Sequence, residues 1–212
     1  VGDDSPPALS AQPVVGVLAL QGGFEAHARM LRGLGAQVRE VRTPAGLRGI
    51  EGLVIPGGES TTMTLGIEQE RLAEPLRKLA GRGIPVLGSC AGLIMLDREH
   101  LGLMDMRAQR NAFGRQTKSF EADVLVRGVA DPSTPLRGIF IRAPWIAEYG
   151  PAVEILAEVD GHPVAAREGN LIAVAFHAEL TEDERVHRLF LDAVRLRRAA
   201  GSGALPANPA RG

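Results

Sequence analysis

The chain has 212 residues, 45% hydrophobic and 23% charged, and a formal net charge of -1, so no overall basic field draws it to nucleic acid or an anionic membrane. Its length fits one domain better than two, since cores usually stop growing near ~250 to 300 residues, and no apolar run reaches the ~18 residues of a membrane span. Its one cysteine, Cys90, excludes an intrachain disulfide framework and a cysteine-rich zinc site, which points to a reducing, cytoplasmic setting.

Residues 1–13 hold two aspartates, three prolines and no apolar block, so they read as a tail and not as a secretory signal. Residues 14–20 (VVGVLAL) read as a buried strand ending at Gln21, Gly22 and Gly23. Residues 24–34 follow with helical spacing, and Gly35 stops the helix. Short strands are predicted at 38–41 and 53–55, the latter breaking at Pro56, Gly57 and Gly58. A helix is predicted over 71–80. A fourth strand at 84–87 runs into Gly88-Ser89-Cys90-Ala91-Gly92 and a helical stretch at 93–96. This β, α, β, α order predicts a parallel sheet covered on both faces.

The second half changes character. Strand-like runs at 120–126, 138–141, 153–159, 164–167 and 171–176 lie close together, which predicts antiparallel pairing. Thr181 is read as the start of a last helix, with Glu184 as capping-box partner and Leu189, Val194 and Leu196 on its apolar face. Residues 201–212, rich in Gly, Ala and Pro, read as a second tail. A single domain over 14–200 remains, a three-layer α/β unit with an antiparallel extension.

Gly88-Ser89-Cys90-Ala91-Gly92 has the nucleophile-elbow pattern, with a glycine two positions to either side of the thiol. Between a strand end and a helix start, such a turn lifts the sulfur clear of the sheet. It also sets the sulfur near helix amides that favour a thiolate and can donate to an oxyanion. Taken alone, the pentapeptide fits a small buried thiol equally well. A thiol nucleophile needs a base and a group to orient it. The strand at 171–176 delivers His177, and Glu179 follows two residues on, which in extended chain puts both on one side. A carboxylate there fixes the imidazole tautomer and stabilises the imidazolium.

Pro56-Gly57-Gly58-Glu59-Ser60-Thr61-Thr62 also follows a strand. Its glycines leave backbone amides open to an oxyanion, while the plain alternative is a turn capping a helix with Ser60 or Thr61 as N-cap. It lacks the lysine of a phosphate-binding loop, and no G-x-G-x-x-G follows any strand.

Six segments carry a resemblance: GVLALQGGFEAH (16–27), PGGESTT (56–62), GSCAGLI (88–94), RNAFGRQTKSFEAD (110–123), FIRAP (140–144) and AFHAELT (175–181). Together they resemble the class I glutamine amidotransferases, and more narrowly the family of glutaminase subunits of pyridoxal 5′-phosphate synthase. The elbow and the His-x-Glu mark only the broad class; LALQG, PGGESTT, RNAFGRQ and FIRAP narrow it. The resemblance implies a three-layer α/β/α flavodoxin-like fold with a mostly parallel sheet and an antiparallel extension. It implies hydrolysis of L-glutamine to L-glutamate and ammonia, with the ammonia passed to a separate pyridoxal 5′-phosphate synthase (lyase) subunit in a hetero-oligomer. No cofactor or metal, no nucleic acid and no membrane enters that scheme.

Carried over by the resemblance, Cys90 is the nucleophile and His177 and Glu179 complete a triad. Gly58, Glu59 and Ser60 contact glutamine, Gly58 and Ala91 supply the oxyanion donors, and Arg110, Ile141 and Arg142 complete the pocket. Arg110 and Arg142 suit the α-carboxylate of glutamine and Glu59 suits its ammonium. Spacing alone would leave both arginines as solvated surface. The family usually has His-Pro-Glu where this chain has His177-Ala178-Glu179, and alanine leaves the link freer than proline would, with lower activity as the expected result. The other histidines receive no catalytic role; the role of His27, inside a matched segment, stays open, with a contact at a partner surface as the disfavoured option. Competing readings are a glutaminase for another synthase, a catalytically silent regulatory module on the same scaffold, and a cysteine hydrolase or redox sensor that does not depend on Glu179.

Overall fold

A computed structural model of the protein describes residues 12–110 and 119–202. Most of the two expected tails, and the RNAFGRQ segment beyond Arg110, lie outside the described residues.

The chain opens with β1 (Val14–Leu18), α1 (Phe24–Gly33) and β2 (Gln37–Val41). A short 3₁₀ turn (Pro44–Leu47) leads to β3 (Gly52–Ile55), then α2 (Ser60–Gln69), α3 (Ala73–Gly81), β4 (Val86–Ser89) and α4 (Ala91–Leu96). Next come β5 (Met106–Gln109), β6 (Ser119–Val124), β7 (Leu136–Ile141) and β8 (Trp145–Tyr149). Finally β9 (Glu154–Val159), β10 (His162–Glu168) and β11 (Leu171–Val174) precede a 3₁₀ turn (Ala178–Leu180) and α5 (Arg185–Ser202).

Seven strands form one sheet in the order β2-β1-β3-β4-β11-β10-β9. The first five are mutually parallel, and β10 and β9 extend the sheet antiparallel. The pairs β5–β8 and β6–β7 form two small antiparallel sheets beside it. This is the predicted flavodoxin-like architecture. The central strands are apolar on both faces because both faces are covered, and β3 is buried at every position.

Gly52 shows which helices lie where. A Cβ there would stand 2.6 Å from Val194 and 2.9 Å from Phe190, so α5 presses directly on the backbone of β3. Three residues along and on the other face, α4 lies so close that a Cβ at Gly92 would collide with the Ile55 carbonyl oxygen. Among the described residues no helix is long and apolar enough to cross a membrane.

Several local expectations need correction. The helix expected at 71–80 is α3, which begins two residues later, at Ala73, because Arg71 takes a left-handed φ of 55°; α2 before it was foreseen only as the capped-helix alternative for 56–62. Strands β5 and β8 carried no clear sequence signal. β11, grouped by sequence with the antiparallel strands, hydrogen-bonds β10 antiparallel and also β4 in parallel. Thr181 does not open the last helix; its hydroxyl donates to the Ala178 carbonyl, and α5 begins at Arg185, whose amide donates to Asp183. Nor is Leu196 on the apolar face, since it is 70% exposed while Val186, Phe190, Leu191 and Val194 are buried. The three residues assigned to that face do not share one helical stripe, and the long-range packing on β3 selected another.

The close passage of α4 over β3 gives a direct test. Gly92→Ala should destabilise by at least the roughly 1–3 kcal/mol of ordinary overpacking, because a backbone carbonyl cannot move aside as a side-chain tip can. Thermal unfolding should show a midpoint lowered by several degrees, and an unchanged midpoint would refute the packing argument.

Candidate active site

Cys90 stands at the turn between β4 and α4 with φ 50° and ψ -104°, a strained conformation for a non-glycine residue. The fold over-determines it. The Cys90 amide donates to the Val174 carbonyl at 2.8 Å, and its carbonyl accepts from Leu93 and Ile94 of α4. A Cβ at Gly88 would lie 2.6 Å from the Gly92 carbonyl oxygen, so the two glycines of the elbow allow the strand and helix to meet. The Ala91 amide opens α4 as one of the first-turn donors that no helix satisfies internally.

His177 leaves the sheet three residues past β11, and its amide donates to the Ile139 carbonyl of β7 at 2.8 Å. His177 Nδ1 lies 2.7 Å from Glu179 Oε1. The pairing foreseen from extended chain is present, but by another route: residues 178–180 form a 3₁₀ turn, and that turn folds the carboxylate back onto the ring. The Glu179 side chain is only 2% exposed, the His177 ring 12%.

Burial pushes the His177 imidazolium down, yet its hydrogen bonds to Cys90 and Glu179 outweigh that and raise it to about 10. Burial likewise raises the Glu179 carboxyl, and the hydrogen bond from His177 together with the adjacent His27 ring holds it well below the usual carboxylate range.

A cavity of about 530 Å³ opens over the sulfur. Gly58, Glu59, Ser60, Cys90, Ala91, Arg110, Ile141, Arg142 and His177 all line it, so the residues singled out from sequence converge, with Glu179 directly behind His177. Ile94 also lines the cavity and had no sequence signal apart from its apolar helical place. Gly57 presses flat on the imidazole: a Cβ there would run into His177 Cε1 and stand 3.4 Å from Cys90 Cβ. Arg142 also has a left-handed φ, 45°.

Glu59 differs from expectation. It, and not Ser60 or Thr61, is the N-cap of α2, accepting from Thr61 N at 3.0 Å and Thr62 N at 2.6 Å. Those amides, Thr62 first, hold its carboxyl down at about 2. Arg110 reaches across the cavity mouth to Glu59 Oε1 at 3.4 Å.

Sequence reasoning missed Gln21, whose side-chain amide accepts from Glu59 N and donates to Glu59 O, both at 3.1 Å, tying the end of β1 to the Gly57–Gly58 loop. A glutamine in a loop carries no local sign of such a contact. His27, whose role the sequence left open, is fully buried behind Glu179, which removes the disfavoured option of a surface contact.

Ala178 starts the 3₁₀ turn, and among the described residues its amide has no hydrogen bond that proline would remove. Ala178→Pro should therefore stabilise by about 0.4–1 kcal/mol through the unfolded chain, a rise that thermal unfolding would detect; a lowered midpoint would mean that the turn cannot take the ring. The raised His177 carries a sign of its own. Its contribution to stability is complete below the ordinary 6.5 and is lost as pH rises through about 10. His177→Asn should remove that loss, so the stability gap between wild type and variant should narrow across this window in chemical denaturation.

Comparison with known proteins agrees with this geometry. The sequence pattern described as the SNO glutamine amidotransferase family matches residues 17–196. A pyridoxal 5′-phosphate synthase subunit PdxT from Frankia alni is 51% identical over 200 residues, covering 90% of this chain and 98% of that one. The protein of the same name from Streptomyces coelicolor is 50% identical over 203 residues, covering 92% and 100%. A crystal structure of a glutamine amidotransferase superposes with TM-score 0.79 at 41% identity, over 85% of this chain and 98% of that one. PurLQS of Thermotoga maritima, with TM-score 0.69 at 17% identity, covering 85% of this chain and 98% of that one, shares the fold alone.

Proposed function

The chain belongs to the SNO glutamine amidotransferase family, and from that premise we propose that it hydrolyses L-glutamine to L-glutamate and ammonia as the glutaminase subunit of a cytoplasmic pyridoxal 5′-phosphate synthase. The observation that carries the reading is the 2.7 Å contact of His177 with Glu179 beside an elbow cysteine at the floor of one cavity.

In this reading the Cys90 thiolate attacks the side-chain amide carbon of glutamine and the carbonyl π electrons move to oxygen. The amides of Gly58 and Ala91 receive that oxyanion. His177, as imidazolium, gives its proton to the leaving nitrogen, and ammonia departs from a γ-glutamyl thioester. Water then attacks the thioester, with neutral His177 taking its proton, and collapse of the tetrahedral intermediate releases the glutamate product and restores the thiolate beside the imidazolium. Glu179 orients the ring and stabilises its cationic form without itself taking the proton. Arg110 and Arg142 at the rim suit the α-carboxylate of glutamine, and the carboxylate of Glu59 suits its ammonium.

Ammonia released in solution would be protonated and lost to the reaction, so the product implies a docked acceptor. We assign that place to the synthase subunit, in keeping with the relatives named above. The test is glutamate release from glutamine with and without that subunit. The rate should rise on its addition and fall by at least about 1000-fold in Cys90→Ala. Turnover that survives the substitution would refute covalent catalysis, and no turnover in either condition would favour a silent module.

A further inference from the structure

Glu179 is held on both sides. Its Oε1 receives His177, while its Oε2 faces two buried groups, Ser89 Oγ of β4 at 3.3 Å and His27 Nε2 of α1 at 3.3 Å. His27 Nδ1 in turn lies 2.9 Å from Nε2 of His187 on α5, and both rings are fully buried. Four ionisable side chains from three parts of the fold thus form one line leading away from the sulfur.

The protons along that line can be placed. A neutral imidazole has one donor and one acceptor nitrogen. Glu179, held as a carboxylate, only accepts, so the His27 nitrogen facing it must donate. At 3.3 Å the alignment falls short of hydrogen-bond geometry, yet Glu179 Oε2 is the acceptor that stands before Nε2, which has no hydrogen-bond partner among the described residues. Burial pushes His187 down to about 3, so its ring is neutral. His187 Nδ1 has no partner among the described residues, so the economical place for the His187 proton is Nε2, donating to His27 Nδ1. A doubly protonated His27 would reverse that bond and bury an unpartnered N–H on His187.

We propose that His27 is a positioning residue for the triad: a neutral ring that donates from Nε2 to Glu179 Oε2 and accepts at Nδ1 from His187. Anchored at both oxygens, the carboxylate keeps the orientation that its Oε1 needs to hold His177 Nδ1. The β1–α1 segment thereby meets the site twice, through Gln21 at the Gly57–Gly58 loop and through His27 of α1 at the carboxylate. The proposal rests on the glutaminase reading above.

Two near-isosteric amides separate the donor role from simple filling of space. In His27→Gln the amide nitrogen takes the place of Nε2 and keeps the donor to Glu179. In His27→Asn it takes the place of Nδ1 and loses that donor. With the synthase subunit present, His27→Asn should lower kcat by up to about 100-fold at nearly constant KM for glutamine, the scale of a small misplacement at a catalytic centre. The alkaline limb of its kcat/KM profile should move to lower pH. His177 is faced by Glu179 from its own turn and by Cys90 from the elbow, and a Glu179 that turns away no longer supports its imidazolium. His27→Gln should retain most of the rate and an unmoved limb. Equal loss in the two variants, or a loss with the limb unmoved, overturns the proposal.

Should either variant fail to fold, ¹⁵N chemical shifts of the wild-type ring decide the matter. They should show His27 protonated at Nε2 and bare at Nδ1, and the opposite tautomer or a doubly protonated ring at neutral pH overturns the proposal. A wild type that releases no glutamate would defeat the glutaminase reading beneath it, whereas a wrong tautomer in an active enzyme defeats the positioning role alone.

Discussion

The parallel pairing of β4 with β3 on one side and β11 on the other is the constraint on which the site depends, because Gly88 stands in register with both Ile55 and Ala173. Parallel strands end at the same edge. Within a few residues of that shared row the three chains deliver the Gly57–Gly58 loop, Cys90 and His177. Had β11 paired with β4 in the antiparallel sense, His177 would leave at the far end of the sheet and no base would stand beside the sulfur. The site therefore lies where open α/β sheets hold their ligands, outside the carboxyl ends of the strands.

Bringing three chains so close requires glycine at particular points. Gly57 has no side chain because the imidazole of His177 occupies the space, and Gly92 has none because β3 passes against α4. The same crowding sustains strained backbone. Cys90 and Arg142 both hold left-handed φ values at the cavity, and both are followed by well-packed chain: Ala91 and Ala143 are buried. Such conformations cost about 1–3 kcal/mol each and persist only where the surroundings fix them.

Behind the sulfur, the protein interior admits a line of polar groups that would be unfavourable singly. A buried carboxylate is tolerated when paired and hydrogen-bonded, and Glu179 has His177, His27 and Ser89 around it. The histidines are in turn tolerated because they face the carboxylate and each other. Low polarity strengthens each of these contacts and makes each missing partner more damaging, so the line behaves as a unit. The rim is different: Arg110 and Glu59 are about half exposed, water screens their contact, and they remain available to a charged ligand.

Much of this was legible in the sequence. Local chemistry marks the elbow, since only small residues flank such a turn, and the apolar runs of β1, β3 and β4 mark strands covered on both faces. The pairing of His177 with Glu179 was also visible, although its cause was a 3₁₀ turn and not an extended face. Less legible were elements whose signal is tertiary: β5 and β8 pair mainly with each other, and the start of α5 is set by Asp183 and by its packing on β3. By itself the sequence determined the reactive groups and the strand ends that carry them, because those follow from residue type and near neighbours. Only the tertiary structure decided which distant groups meet them. His27 and His187 lie 160 residues apart, and nothing local to either ring foretells a contact that exists because α1 and α5 pack together behind Glu179.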